Sequence, residues 1–404
     1  MSAFHRVWSS QRGTILIHVA VGAIAIIAFS ALVVDYGVLW VSRRQAQNAA
    51  DAGALAAATS LAFVDSTDLT LATNSALATV AQNPIWGQAP DVTASDVLFL
   101  ASCPPGAPGV PDTCVRVNVY RNQRPGGSPL PTFFGQIVGL TQQGVRATAT
   151  AQVLVGDKAT CVKPFAIPDK WLEAQTPAWD PIDDDFSRYI QTGQNVGQLL
   201  TPPDEYTPPG QSPGTGFKLP DDYGLELTLK AGNPSQSIQP GSYFPVRLSP
   251  TDNGGDDYRN NIANCNTTPI GPGSVLQIEP GNMVGPTKQG MQALVDQDPL
   301  AYWDPVANGG KGAPAGGCMA TGTCVQSPRL VAVAVFNSDI WDAGRHQGAG
   351  NTTVTVTNIL GFFTSAVSGG GDVTGYFTYF PSVASGSSTL SESSAFLRTV
   401  ILVR

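Results

Sequence analysis

The chain has 404 residues, a formal net charge of −8 and only 13% charged residues, against about 25% in a typical soluble domain. This composition, with 43 Gly and 32 Pro, favours exported, loop-rich β structure over a cytosolic enzyme. The acidic balance and the absence of a Lys/Arg-rich stretch argue against a nucleic-acid partner, which requires basic patches. The length allows two or three domains.

The first predicted element is a membrane anchor. Residues 14–34 contain no Asp, Glu, Lys or Arg, and about 20 apolar residues let a helix cross the hydrocarbon core of a bilayer. Small residues such as Gly22 and Ala28 are interspersed, which suits close packing of membrane helices. The large apolar side chains assigned to the anchor are Ile15, Leu16, Ile24, Ile26, Ile27, Phe29, Leu32 and Val33.

The apolar segment has two other interpretations. A cleavable secretory signal has an apolar region of about 7–15 residues followed by small residues; Ala28-Phe29-Ser30 could precede such a cleavage, but the apolar sequence continues through Val34. A buried helix of a soluble domain is usually shorter and apolar on one face only. A retained anchor is therefore the prediction.

The basic residues on the two sides of the anchor do not determine its orientation in the membrane. Arg6 and Arg12 precede it, whereas Arg43 and Arg44 follow it, so the positive-inside rule gives a tie. We expect the amino terminus inside and the bulk of the chain outside the cytoplasm, because all cysteines follow the anchor and predict an oxidising compartment.

The helix is expected to continue beyond the bilayer. Nine of the 17 residues from Ala46 to Ala62 are alanine, the strongest helix former. About 50 residues of helix would extend roughly 75 Å. The first predicted part of the chain is thus an anchor with an extended helix, at residues 1–63.

The second predicted part is a small α+β module at residues 64–157. The alternation of Val115, Val117 and Val119 is typical of a strand with one buried face, and a similar alternation follows from residue 145. The expected elements are a helix at 69–81, strands at 96–101, 114–121 and 144–155, and a short helix at 131–138 that packs across the sheet.

The third predicted part, at residues 158–404, is β-rich with long irregular links. The expected strands are at 243–248, 275–279, 329–336, 352–363, 373–380 and 396–403. One helix is expected at 287–296, with Thr287 as its N-cap. The predicted fold class of the whole chain is α+β.

Six cysteines form an even set. Short Pro/Gly-rich loops separate Cys103 from Cys114 and Cys318 from Cys324, and such loops are natural places for disulfides. Cys161 and Cys265 would then pair across the central region. No CxxC occurs, which disfavours zinc, although free buried thiols stay an alternative.

No pattern of catalytic chemistry is present. His346 is the only histidine beyond the amino-terminal segment, and there is no GxSxG, HExxH or phosphate loop. Acidic clusters at 180–185 and 252–257 would suit Ca²⁺ or a pair of glycosidase carboxylates, but solvated turns are the favoured interpretation. We therefore expect no enzyme activity, no cofactor, no metal site and no small-molecule substrate.

The segments around the anchor resemble the amino-terminal region of TadG-like proteins of the tight-adherence (Tad/Flp) pilus system. Arg12-Gly13 precedes the apolar segment, and Asp35-Tyr36-Gly37, Arg43-Arg44-Gln45 and Asn48-Ala49-Ala50-Asp51 follow it in order. The motif residues are Asp35, Tyr36, Gly37, Arg43, Arg44, Asn48 and Asp51. Residues 132–155 resemble the small module that often follows, and residues 161–171 and 285–290 resemble segments of longer TadG-related proteins.

This resemblance implies a single-pass protein of a bacterial cell membrane that takes part in pilus assembly. Its partners would be the membrane and other pilus-assembly or envelope proteins. Two features depart from related patterns: His18 stands where precursors cut by prepilin peptidase carry Glu, and the chain has no DxSxS metal motif.

Two alternatives remain for the exported part. One is an adhesin or carbohydrate-binding protein, in which Trp171, Trp179, Trp303 and Trp341 would stack on sugars. The other is an envelope hydrolase that uses the acidic clusters.

Overall fold

The computed structural model describes residues 12–63, 69–105, 114–174, 178–182, 184–190, 192–212, 214–219, 221–324, 326–346, 352–385 and 395–403. Its helices are α1 (Arg12–Phe63), α2 (Thr70–Ala81), α3 (Gly254–Ala263), α4 (Val284–Gln297) and α5 (Ser338–His346). Four-residue helical segments also lie at Ala307–Gly310 and Gly317–Ala320, and single turns of 3-10 helix lie at Ala94–Asp96 and Gly135–Val138. With the strands below, the fold class is α+β, as predicted.

The early strands are β1 (Val97–Leu100), β2 (Cys114–Arg121), β3 (Leu130–Pro131), β4 (Gln142–Gln143), β5 (Val145–Lys158), β6 (Val162–Pro168), β7 (Glu226–Ala231), β8 (Ser242–Pro245) and β9 (Val275–Gln277). The later strands are β10 (Ala301–Asp304), β11 (Ala313–Gly316), β12 (Leu330–Phe336), β13 (Thr353–Val367), β14 (Val373–Thr378), β15 (Phe380–Pro381), β16 (Ala384–Ser385) and β17 (Leu397–Val403).

The first sheet has the strand order β1-β2-β5-β17-β15, and β16 also pairs with β5. Strand β2 is antiparallel to β5 with Val117 opposite Ala149. Strand β17 is antiparallel to the other edge of β5 with Val400 opposite Val153. The strand at 397–403 therefore lies in the sheet of the early part of the chain, while the division at residue 157 stays a prediction.

The extended half of α1 packs across this sheet because its inner face is almost entirely alanine. The alanine side chains are buried among the inward-facing valines and alanines of β2 and β5, and small side chains allow the helix axis to approach the strands closely. These buried alanines are Ala46, Ala49, Ala50, Ala54, Ala57, Ala58 and Ala62. The alternation predicted from residue 145 is also confirmed, since Val145, Ala147, Ala149, Ala151 and Val153 share this core.

The second sheet has the order β12-β6-β8-β7-β14-β13-β9, and β12 also pairs with β13, so that six of the strands close into a ring of pairings. Clusters of apolar side chains cover both faces of this sheet. A strand that is buried on both faces is apolar at nearly every position, which explains the sequence LVAVAVF of β12.

Three disulfides join Cys103 to Cys114, Cys161 to Cys265 and Cys318 to Cys324. These are the pairs that the spacing suggested. The bridge from Cys161 links the start of β6 to the segment after α3, across a sequence separation of 104 residues.

Three predictions about local structure are wrong. The segment at 131–138 is not a helix across the sheet but a single 3-10 turn beside α1, because α1 already covers that face. Thr287 is not an N-cap: α4 begins at Val284, and Thr287 is buried within it, 3.0 Å from the Tyr258 hydroxyl. The acidic residues at 256–257 lie not in a loop but in the first turn of α3, where carboxylates complement the helix dipole.

Candidate membrane anchor and its junction with the first sheet

The amino-terminal half of α1 projects from the rest of the molecule. Its eight predicted anchor side chains, from Ile15 to Val33, are each between 53% and 71% exposed. The helix is long and apolar enough to cross a membrane. So much apolar surface left uncovered does not fit a buried helix of a soluble domain, but it does fit a segment surrounded by lipid.

One narrow face of α1 becomes buried as the helix leaves this segment. Ala31 and Asp35 are partly covered, and Val38, Ser42 and Ala46 are buried. The spacing of three and four residues keeps these positions on one side of a helix. The first sheet and its loops therefore begin to contact α1 within the last turn of the apolar segment.

Asp35 is held by the loop between β3 and β4. Its Oδ1 accepts a hydrogen bond from the backbone N–H of Phe133 at 2.7 Å, and its Oδ2 accepts bonds from the N–H groups of Phe134 and Gly135 at 3.1 and 2.6 Å. The Gln143 side-chain amide donates to the Asp35 carbonyl oxygen at 3.3 Å. A carboxylate that receives three backbone N–H groups is a strong, directional attachment.

Further polar contacts follow along α1. The Gln47 amide donates to Asp51 Oδ1 at 2.7 Å and to the carbonyl of Thr148 on β5 at 3.3 Å. The Gln45 side-chain oxygen accepts the N–H of Trp86 at 2.8 Å. These bonds connect the exposed flank of the helix to the sheet on one side and to the segment after α2 on the other.

The other motif residues have different environments. Tyr36 and Trp40 are 65% and 50% exposed, and the guanidinium of Arg44 lies 3.9 Å from the centre of the Trp40 ring. Arg43 and Asn48 are exposed. Aromatic and basic side chains just beyond an apolar helix are typical of the membrane–water interface. Gly37 has open space where a side chain would lie.

Several carboxylates of the acidic clusters have protein partners, whereas the buried Oδ2 atom of Asp184 has no hydrogen-bond partner among the described residues. Asp252 accepts bonds from the Ser249 N–H and the Asn261 side chain at 3.1 and 2.9 Å, and Asp256 pairs with Arg259 at 3.1 Å. In the first cluster, Asp180 accepts the N–H of Ile182 at 2.8 Å. Asp183 lies outside the described residues.

A carboxylate and two cysteine sulfur atoms also lie close together, at Asp298, Cys318 and Cys324. The two sulfur atoms are joined in a disulfide, which leaves no thiolate to bind a metal. Asp298 instead accepts bonds from the Cys318 N–H at 3.0 Å and the Ser327 hydroxyl at 2.6 Å. This arrangement braces the loop that the disulfide closes.

The tryptophans offered as sugar-stacking residues lie largely in the core. Trp171 and Trp341 are only 2% and 3% exposed, so these two cannot stack on a sugar. Trp179 packs edge-on against Trp171, and Trp303 stacks on Tyr376 at 4.8 Å. The burial of Trp171 and Trp341 therefore removes them from the carbohydrate-binding alternative.

The segment at 161–171 has a structural role. Asp169 is fully buried after β6 and accepts bonds from the Tyr206 hydroxyl at 2.9 Å and from the N–H groups of Phe217 and Lys170 at 2.8 and 2.9 Å. Burial raises its pKa to about 6. Lys163 is also buried and donates to the carbonyls of Ile262 and Asn264 at 2.6 and 3.0 Å; burial lowers its pKa to about 8. Each group is committed to partners within the fold.

Sequence reasoning missed the polar side chains that fasten α1, namely Gln45, Gln47 and Gln143. It also missed the exposed apolar loop that binds Asp35. One signal for this loop was available: residues 125–145 contain no charged residue, although they lie outside the long apolar segment.

Comparison with known proteins places a family match on this helix. Residues 13–60 match the family described as "Putative Flp pilus-assembly TadE/G-like", and the match covers the apolar segment, the Asp35 attachment and most of the alanine face. No curated protein and no solved structure matches the chain. The predicted TadG-like relationship is confirmed over these residues, and it supports a role in pilus assembly.

Proposed function

We propose, from the TadE/G-like match over α1, that this chain is a non-enzymatic, membrane-anchored component of Tad/Flp pilus assembly. The apolar half of α1 crosses the bacterial cell membrane once and is retained there. The two sheets lie outside the cytoplasm and serve protein–protein contacts or surface attachment.

The observation that carries this proposal is the continuity of α1. One helix runs from Arg12 to Phe63. Its amino-terminal half exposes large apolar side chains, and the alanine face of its carboxyl-terminal half is buried in the core of the first sheet. No flexible linker separates the anchor from the exported fold, so the protein holds its outer part at a fixed distance from the bilayer. The disulfides support a location in an oxidising compartment.

The anchor itself is proposed to contact membrane helices of the pilus machinery. Apart from the backbone of α1 itself, no atom of the described residues lies within 4 Å of the position that a Cβ of Gly22 would take, so the rest of the described fold does not obstruct a side chain at this position. A substitution at Gly22 therefore tests contacts with other molecules without disturbing the fold.

The test is crosslinking in intact membranes, followed by purification of the tagged full-length chain and identification of the attached peptides. We expect pilus-assembly proteins among the crosslinked partners, and a lower yield for Gly22→Leu. The matched control is Ile24→Leu, which keeps a large apolar side chain and should crosslink like the wild type. Recovery of proteins from an unrelated envelope pathway, with no pilus component, would contradict the proposal.

A further inference from the structure

Residues 132–140, in the loop between β3 and β4, present four apolar side chains to the outside. Phe133 and Phe134 are 53% and 38% exposed, and Ile137 and Leu140 are 82% and 63% exposed. Large apolar side chains that are exposed on a soluble surface are normally scattered singly. Here four of them lie within one nine-residue segment.

The position of this loop is fixed by Asp35, the first residue after the apolar segment. Side chains on a helix lean toward its amino terminus, so the Asp35 carboxylate extends back toward the apolar half of α1. It receives the N–H groups of Phe133, Phe134 and Gly135 there. Ala31, one turn earlier, is partly covered while its neighbours Leu32 and Val33 are exposed. The loop therefore lies level with the end of the predicted membrane span, or slightly within it.

The loop is also suited to a medium with little water. Residues 125–145 carry no charge, so none of the loop's own side chains is ionised, and the Asp35 carboxylate beside the loop is solvated by three backbone N–H groups. Backbone polar groups must be satisfied internally in such a medium. The N–H groups of Ile137, Gly139 and Leu140 donate to loop carbonyls at 2.9–3.1 Å, and the Thr132 hydroxyl donates to the Leu140 carbonyl at 2.5 Å.

We propose that residues 132–140 form a second membrane contact, in which Phe133, Phe134, Ile137 and Leu140 enter the leaflet from which α1 emerges. This inference rests on the proposed function, since it requires α1 to span the bilayer. With two attachments, the first sheet is held against the membrane surface, and its tilt relative to the bilayer is restricted. Tyr36 and Trp40, which are also exposed at this level, would lie in the same interfacial layer.

A spin label can measure the depth of this loop in the full-length protein. All six cysteines are disulfide-bonded, so an added cysteine is a selective labelling site. We would label Ile137→Cys in vesicles of phosphatidylethanolamine and phosphatidylglycerol, and compare its collision rates with oxygen, which concentrates in lipid, and with a water-soluble nickel complex. The matched control is Val306→Cys, which is 79% exposed between β10 and β11. A label at Ile24→Cys reports the anchor.

We expect the oxygen-to-nickel collision ratio at position 137 to be severalfold higher than at position 306, and the ratio at position 24 to be higher still. A ratio at position 137 equal to that at 306, with position 24 in lipid, would overturn the loop contact but leave the anchor intact. Protection of position 137 from both reagents would also overturn it, because this would indicate contact with a second copy of the chain. A low oxygen-to-nickel ratio at position 24 would show that this residue is in water. That result would instead contradict the membrane anchor and with it the proposed function. Leu140→Cys provides an independent second site.

Discussion

Gly53 of α1 lies directly against Val80 of α2. A Cβ atom at Gly53 would come 2.5 Å from Val80 Cγ2 and 3.4 Å from Val117 Cγ1. Gly53 thus lies where the two helices and the first sheet meet. The alanines on either side of Gly53 also allow α1 to pack closely against the sheet. The attachment of the anchor depends on small side chains at the centre of this contact.

We expect Gly53→Ala to destabilise the protein, although alanine is the better helix former. The added methyl group must displace Val80, and overpacking of this kind costs about 1–3 kcal/mol. Denaturant unfolding of the purified protein in detergent would measure the change. The control is Gly37→Ala in the same helix, where a Cβ would have no atom of the described residues within 4 Å apart from the helix's own backbone. Equal effects of the two substitutions would contradict the steric explanation.

We expect Asp35→Ala to release the loop at 132–140. Without the carboxylate, the N–H groups of Phe133, Phe134 and Gly135 lose their acceptor. Hydrogen–deuterium exchange of the loop peptide should therefore accelerate, while peptides of the second sheet should not change. Asp51→Ala serves as the control, because Asp51 accepts a bond from Gln47 of the same helix, and it should leave exchange in the loop unaltered.

The three disulfides should contribute unequally to stability. The loss of loop-closure entropy predicts about 5 kcal/mol for a bridge across roughly 100 residues and about 2 kcal/mol for one across about six. We therefore expect the double substitution Cys161→Ser and Cys265→Ser to lower the free energy of unfolding more than Cys318→Ser with Cys324→Ser. Thermal unfolding of both variants would test this order, and the reverse order would disprove the entropic argument.

Asp169 should make stability depend on pH. Its folded-state pKa is raised to about 6 by burial, from 3.8, so the folded state binds more protons than the unfolded state between these values. The stability contribution of the protonated carboxyl is complete below pH 3.8 and is lost as the pH rises through about 6. The full change is about 3 kcal/mol.

The measurement is the free energy of unfolding of the wild type and of Asp169→Asn from pH 4 to pH 7. Burial also raises the pKa values of Asp184 and Asp204 to about 6, but these groups titrate in both proteins and cancel in the difference. We expect the wild type to lose stability relative to the variant as the pH rises. A wild type that gains stability instead would show that the hydrogen-bond donors to Asp169 outweigh its burial.

The sequence predicted well those elements in which apolar residues recur regularly because one face packs against a single neighbouring element. The alternation from Val115 to Val119 and the alanines of α1 reflect the same helix–sheet interface. The alternation alone predicts the strand β2, and the alanines alone predict the helix α1. Cys103 and Cys114 are close in sequence and join neighbouring segments, so the spacing alone indicates the pair.

The remainder depended on long-range contacts that leave little local signal. Thr287 has the properties of an N-cap, but packing against Tyr258 places it inside α4. The loop at 131–138 contains an apolar pattern that suits a short helix, but the bonds to Asp35 fix it as a turn. Strand β6 was not predicted because its sequence, VKPFAIP, contains a lysine and two prolines, and proline argues against a strand inside a sheet.

The pairing of β17 with β5 bears on the order in which the molecule can be assembled. The chain is synthesised from its amino terminus, so α1 and β5 exist long before residues 397–403. Until these residues arrive, one edge of β5 has unpaired backbone groups, and Val400 is missing from the core that holds the alanine face. An exposed edge strand invites pairing with other chains. The first sheet, on which α1 packs, is therefore complete only after the residues of the second sheet have been synthesised. A chain interrupted before residue 397 would have the apolar helix joined to an aggregation-prone sheet.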